Sequence, residues 1–250
     1  MCSDLAIELR EGTKQSHTLS ENTAYMKCFL KGIVAKEPFR KLLANLYFVY
    51  STLEAELLAH RDNPLVSLIY FPELNRTANL EEDLTFYYGD NWQQQIVPSP
   101  AGKAYVARIK DLGLSQPELL VAHSYVRYLG DLSGGQGLKS IVRSALDLPS
   151  NQGTRFYEFD ALPSVGAIKE FKIKYRDALN SLPVTPELIE QIVAEANQVF
   201  TFNRDVMHDL EPEVKAAIGD RDFDLITLQD HPGSTESSRG NDPAQLTTAK

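Results

Sequence analysis

Tyr125–Lys139 reads YVRYLGDLSGGQGLK. It lies within a helical pattern from Leu119 to Leu146, with Leu120, Val121, Leu129, Leu132, Leu138, Ile141 and Val142 as apolar repeats. Gly130, Gly134, Gly135 and Gly137 crowd into one short stretch of it. A glycine inside a helix costs ~1 kcal/mol relative to alanine, so these work against helix stability. At about 100° per residue, Gly130, Gly134 and Gly137 share roughly 60° of arc. They form a strip of bare backbone with Asp131 at its edge, suited to something flat or bulky lying against it.

Three readings compete for this strip. Gly130 and Gly134 make a small-xxx-small pair that would allow close helix packing. Arg127, Asp131, Gln136 and Lys139 exclude the membrane version, and the soluble version leaves the other glycines unexplained. Leu132–Gln136 (LSGGQ) looks like the signature of ABC-type ATPases. The phosphate-cradling loop that such an enzyme needs is missing, because Gln136 stands where its lysine should be. The third reading is a helix lying over a planar cofactor.

YLGDLSGGQ, with Arg127 before it and Leu138-Lys139 after it, resembles the distal-helix motif of heme oxygenases. The likeness continues through KQSHTLSEN (14–22), LYFVYSTLE (46–54), PELLVAHSYVRY (117–128), KYRDALNSL (174–182) and FTFN (200–203). These segments are collinear and span nearly all of residues 5–210. The resemblance implies an all-α, single-domain fold with heme between a proximal and a glycine-rich distal helix. It implies oxidative opening of heme to biliverdin, carbon monoxide and ferrous iron, with heme and its iron serving as both cofactor and substrate. Dioxygen is the co-substrate, and ferredoxin is the expected electron donor, a flavoprotein reductase the alternative. The reading from another class is a helical heme-storage protein that does not turn over; retention of Asp131 and Arg127 favours the enzyme.

Composition agrees with a globular enzyme. Hydrophobic residues make up 43% of 250, too many for a disordered chain. A net charge of −9 argues against a nucleic-acid partner. Cys2 and Cys28 provide no disulfide framework and fit a reducing, cytoplasmic compartment. The acidic N-terminus is unlike a signal peptide, and no apolar run approaches the ~20 residues of a membrane span. Many animal heme oxygenases end in a membrane anchor; this chain ends instead in a polar stretch from Leu228, LQDHPGSTESSRGNDPAQLTTAK. The expectation is therefore a catalytic domain over 1–227, a disordered tail over 228–250 and no membrane anchor.

Helices are expected over Ser3–Lys14, Asn22–Lys31, Glu37–His60, Asn79–Tyr87, Pro100–Leu112, Leu119–Leu146, Pro163–Leu182 and Pro186–Leu210, with 64–74 mostly loop and Pro149–Gly153 a linker. Any ligand for a macrocycle on the glycine strip must come from another segment. That removes His123, nearly in line with Gly130. His60 ends a helix beside Arg61 and Asp62, and His231 is in the tail. His208 sits between acids. His17 has a modest edge, with Thr13 and Glu21 four residues either side and Glu21 able to orient the imidazole by accepting from its other ring nitrogen. The resemblance adds that His17 matches the family's proximal histidine, with His208 next if it fails.

Cations for heme propionates are sought at Arg10, seven residues before His17, at Lys14 between them, and at Lys172 and Arg176, one turn apart on one face. Their ordinary reading is a solvated basic face. The family has cations matching Arg10, Lys172 and Arg176, often lysine at the first. Tyr50, Tyr125, Arg127 and Asp131 form the distal polar set. The resemblance assigns Asp131 to holding water near bound dioxygen, with Gly130, Gly134 and Gly135 against the heme. It places Phe200, Phe202 and Asn203 in the pocket wall.

Overall fold

The computed structural model describes residues 4–234, and among these there is no β-strand. Two long helices form the spine. α4 is Lys36–Ala59, burying Phe39, Leu43, Leu46, Val49, Tyr50, Leu53 and Leu57 at helical spacing. α11 is Pro186–Ile218, whose start matches the expected signal: the Thr185 hydroxyl accepts from the Leu188 amide and Pro186 takes the first turn. α11 was expected to stop at Leu210. It runs on through the exposed Pro212 because Leu210 and Val214 still bury on its inner side. Pro212 has no amide hydrogen to bond the His208 carbonyl, and both residues are exposed.

The remaining helices dress this spine. α1 (Leu5–Gly12) and α2 (Lys14–Glu21) pack on α11, as does α3 (Ala24–Leu30). The first two are separated only at Thr13, whose hydroxyl bonds the Leu9 carbonyl at 2.6 Å. Ser3, the expected cap, lies outside the described residues, and Asp4 in the capping position makes no side-chain cap. Thr23 caps α3, so this helix starts later than expected. The 64–74 stretch is not all loop: it holds a short α5 (Val66–Ile69), nucleated by Asn63 Oδ1 accepting from Leu65 and Val66, and a 3₁₀ turn at Pro72–Leu74. α6 (Thr77–Tyr88) and α7 (Pro100–Ser115) pack on α4.

The expected single helix over Leu119–Leu146 is three pieces: α8 (Leu120–Ser124), a π-helical turn (Tyr125–Leu129) and α9 (Gly130–Ala145). The residues after α9 are no domain boundary. Tyr87 donates to the Gly153 carbonyl at 2.9 Å, and Asp83 accepts from the amides of Arg155 and Phe156 at 2.9 and 2.8 Å. α10 (Val165–Asn180) packs on α1 and α5, and α12 (Asp220–Thr227) on α3 and α11. No helix of the described residues is long and apolar enough to cross a membrane. The expectation of a tail free from Leu228 is corrected over its first residues: Ser234 bonds Glu21 of α2, His231 bonds Asn22 and Asp230 bonds Lys27 of α3. Residues 235–250 lie outside the described ones.

Candidate functional site

The glycine strip looks into empty space. A Cβ added at Gly130, Gly134 or Gly137 would meet no atom within 4 Å, whereas one at Gly135 would touch the Tyr157 ring at 3.4 Å. Gly130, Gly134 and Gly137 therefore form the bare face of α9, and Gly135 belongs to its packed side, not to the cleft. The π turn sets this orientation: one extra residue before Gly130 rotates everything after it by ~100° relative to an unbroken helix.

His17 stands on α2. Its Nδ1 is buried and has no hydrogen-bond partner, while 37% of the side chain is exposed, so the open edge of the ring is the one bearing Nε2. Phe200 of α11 meets it edge-on, with ring centroids 5.8 Å apart. Glu21 Oε2 lies 3.7 Å from Nδ1, beyond hydrogen-bond reach. Burial pushes the Glu21 carboxyl up, but the imidazole and two bonds from Ser234 outweigh it and hold it down at about 2. Of the other histidines, His123 Nε2 lies 3.0 Å from Glu195 and His208 Nδ1 is 2.9 Å from Glu211, while His60 stands 3.8 Å from Glu56 and His231 is held through its backbone by Asn22.

Cations gather around Tyr125, the first residue of the π turn. The Tyr125 phenol, raised first by burial, lies beside Thr13 and feels the positive fields of Arg176 and Arg10. Burial and then Arg176 push the Lys172 ammonium down. Arg10 and Lys14 reach Glu11 only loosely, at 3.9 and 3.7 Å. Among the described residues, Lys172 and Arg176 have no ion-pair partner. Cations this weakly paired are available to an anionic ligand.

Behind the strip lies a closed polar network. Tyr50 of α4 donates to Asp131 Oδ2. Arg127 donates to Tyr50 at 3.0 Å, to Asn203 Oδ1 at 2.9 Å and to Asp131 Oδ1 at 3.4 Å. Only 11% of the Asp131 side chain is exposed. Burial raises its carboxyl above the usual range, and Arg127, Tyr50 and Arg76 offset part of that rise. Burial and the Asp131 charge raise the Tyr50 phenol far above its ordinary value, against the field of Arg127. Asp131 is thus a buried carboxyl at the strip's edge whose proton affinity is high for its type, fixed by two donors.

A further expectation needs correcting and several residues were missed. Phe202 is not in the cleft: it stacks on Tyr105, centroids 5.1 Å apart, and lines a separate hollow with Arg108 and Glu195. At ~100° per residue it sits roughly 200° round α11 from Phe200, so the pair cannot share a wall. Arg76, Tyr105 and Tyr128 all feel the Asp131 charge. The phenols of Tyr105 and Tyr128 are buried without partners among the described residues. Tyr128 could have been noticed beside Arg127; Arg76 carried no local signal.

Residues 3–209 match the family model described as heme oxygenase. The chain is 65% identical over 235 residues to heme oxygenase 2 of Synechocystis, covering 94% of each. Among solved structures it superposes on Synechocystis heme oxygenase-2 in complex with heme and NO with a TM-score of 0.93, covering 94% of this chain and 96% of that one at 65% identity. Synechocystis heme oxygenase-1 in complex with heme gives a TM-score of 0.84 at 51% identity, covering 90% of this chain and all of that one.

Proposed function

The chain belongs to the heme oxygenase family, and from that premise we propose that its cleft holds heme with His17 as the iron's protein ligand and Asp131 as the proton-handling carboxyl. The activity is the family's: opening of heme to biliverdin, carbon monoxide and ferrous iron with dioxygen and a reductant. The observation that carries the placement is the bare strip of Gly130, Gly134 and Gly137 facing open space. The residues present fit heme: a flat backbone face, an imidazole with an exposed edge, and cations for carboxylates.

Heme, when bound, supplies the iron that activates dioxygen and the ring that is oxidised. The protein's part is positional. His17 binds through the exposed edge of its ring, and Phe200 fixes the plane of the imidazole. Arg10, Lys14, Lys172 and Arg176 take the propionates, with Thr13 and Tyr125 beside them. Gly130 and Gly134 bring no side chain to the opposite face, so dioxygen has room and no acid touches it directly. Tyr50, Arg127 and Asn203 hold Asp131, whose remaining exposed surface anchors water and passes protons to the reacting side. Gly135 supports α9 from behind.

Ferredoxin is the proposed electron donor, a flavoprotein reductase the alternative, and the cytoplasm the proposed compartment. Heme, dioxygen and reduced ferredoxin given to the purified protein should convert the heme absorption into the biliverdin band with release of carbon monoxide. A heme spectrum that persists unchanged with both reductants would sink the proposed placement.

A further inference from the structure

The residues after α12 fold back across the helix that carries His17. Lys27 of α3, its side chain 5% exposed, donates to the Thr227 carbonyl at 3.1 Å and to Asp230 at 2.7 Å. Asn22, which closes α2, makes a reciprocal pair with the His231 backbone: it donates to the carbonyl at 2.8 Å and accepts from the amide at 2.8 Å. Gly233 presses on Thr18 so closely that a Cβ there would run into the hydroxyl and come within 3.1 Å of the Thr18 Cα. Ser234 then donates twice to Glu21, from its amide to Oε2 at 2.8 Å and from its hydroxyl to Oε1 at 2.5 Å. The last two contacts, at Thr18 and Glu21, fall on α2 itself.

Glu21 is the carboxylate nearest to the buried, unpartnered His17 Nδ1, at 3.7 Å. An imidazole whose Nδ1–H is bonded to a carboxylate is a more basic metal ligand. Both Glu21 oxygens are already accepting from Ser234, so the carboxylate is held just outside that bond. We propose that Ser234 is a positioning residue for the heme ligand: by holding Glu21, the 230–234 strap sets how strongly His17 donates to iron. A strap that served only to fasten the C-terminal segment could have ended on Lys27 and Asn22. Beyond them, Ser234 bonds Glu21, the carboxylate 3.7 Å from His17 Nδ1. The inference rests on His17 being the ligand.

The test uses the full chain loaded with heme and reduced, read by the iron–imidazole stretching band in resonance Raman. Ser234→Ala should move the band to higher frequency, because Glu21, released by the hydroxyl, closes on Nδ1–H. A chain ending at Pro232, which keeps the Lys27 and Asn22 anchors, should move it further the same way. Ser234→Thr should restore the parent frequency, and Ser234→Ala combined with Glu21→Gln should match Glu21→Gln alone. In the heme-free protein, Ser234→Ala should speed amide hydrogen exchange at residues 231–234 while α1 and α11 stay protected. An unmoved band in both Ser234→Ala and the shortened chain would overturn the proposal. So would a shift of equal size in the Glu21→Gln background. If His17→Ala leaves the band in place, the ligand assignment fails instead, which separates the two claims.

Discussion

Asp131 is the residue on which the chemistry and the packing pull in different directions. Its two oxygens satisfy Tyr50 and Arg127, so removing it leaves two buried donors unpaired, at about 1–3 kcal/mol. Asp131→Ala should therefore lower the melting temperature slightly and bind heme about as tightly as the parent, since the side chain does not face the bare strip. Biliverdin yield per heme should fall at least tenfold; a parental yield in single-turnover spectra would remove Asp131 from the mechanism. At this scale the sequence showed which polar residues to gather but not how they bond. The spacing of Arg127 and Asp131 on one turn was readable. That Tyr50, 81 positions earlier, donates to the same carboxylate depends on how α4 packs, which no local pattern encodes.

Among the elements, α9 has the plainest trade between stability and function. Open space lies off Gly134, so Gly134→Ala meets no clash and gains helix propensity of about 1 kcal/mol. The variant should melt a few degrees higher and bind heme more weakly, by at least tenfold in Kd. Gain of stability with unchanged affinity would show that nothing lies on the strip. α11 offers a second test through Glu195, which ties Arg108 of α7 and His123 of α8 together at 2.7 and 3.0 Å. Burial raises the Glu195 carboxyl, but His123 and Arg108 outweigh it and hold it at about 2, below its ordinary 4.5. A carboxyl depressed on folding contributes stability above pH 4.5 and loses it as pH falls toward about 2. Glu195→Gln should be less stable near neutrality, on the order of 2 kcal/mol for bonds to a charged group. The gap in urea midpoints should close over that pH window; a gap independent of pH would contradict it. The helical spans were legible because apolar spacing and caps such as Thr185-Pro186 act locally. The π turn was not: burial is nearly continuous from Leu119 to Ser124, which hides the change of register.

For the whole molecule, the fold class could be read from the glycine strip and the collinear motifs, whereas the C-terminal boundary could not. Composition after Leu228 is polar, yet hydrogen bonds rather than apolar burial hold Asp230–Ser234 in place, and polarity cannot tell a hydrogen-bonded strap from a free tail. Deleting 235–250 should leave the melting temperature and heme affinity unchanged, because one leucine and two alanines cannot bury a core; deleting 229–250 should lower the melting temperature. Equal melting curves for the two truncations would show that the strap contributes nothing. The central claim is that heme lies between His17 and the bare face of α9, with His17 on the iron. Resonance Raman of the ferrous heme complex of His17→Ala tests it most directly. The account predicts that the iron–imidazole band disappears and returns when free imidazole is added to fill the space left by the side chain; a protein-derived band persisting without added imidazole would contradict it.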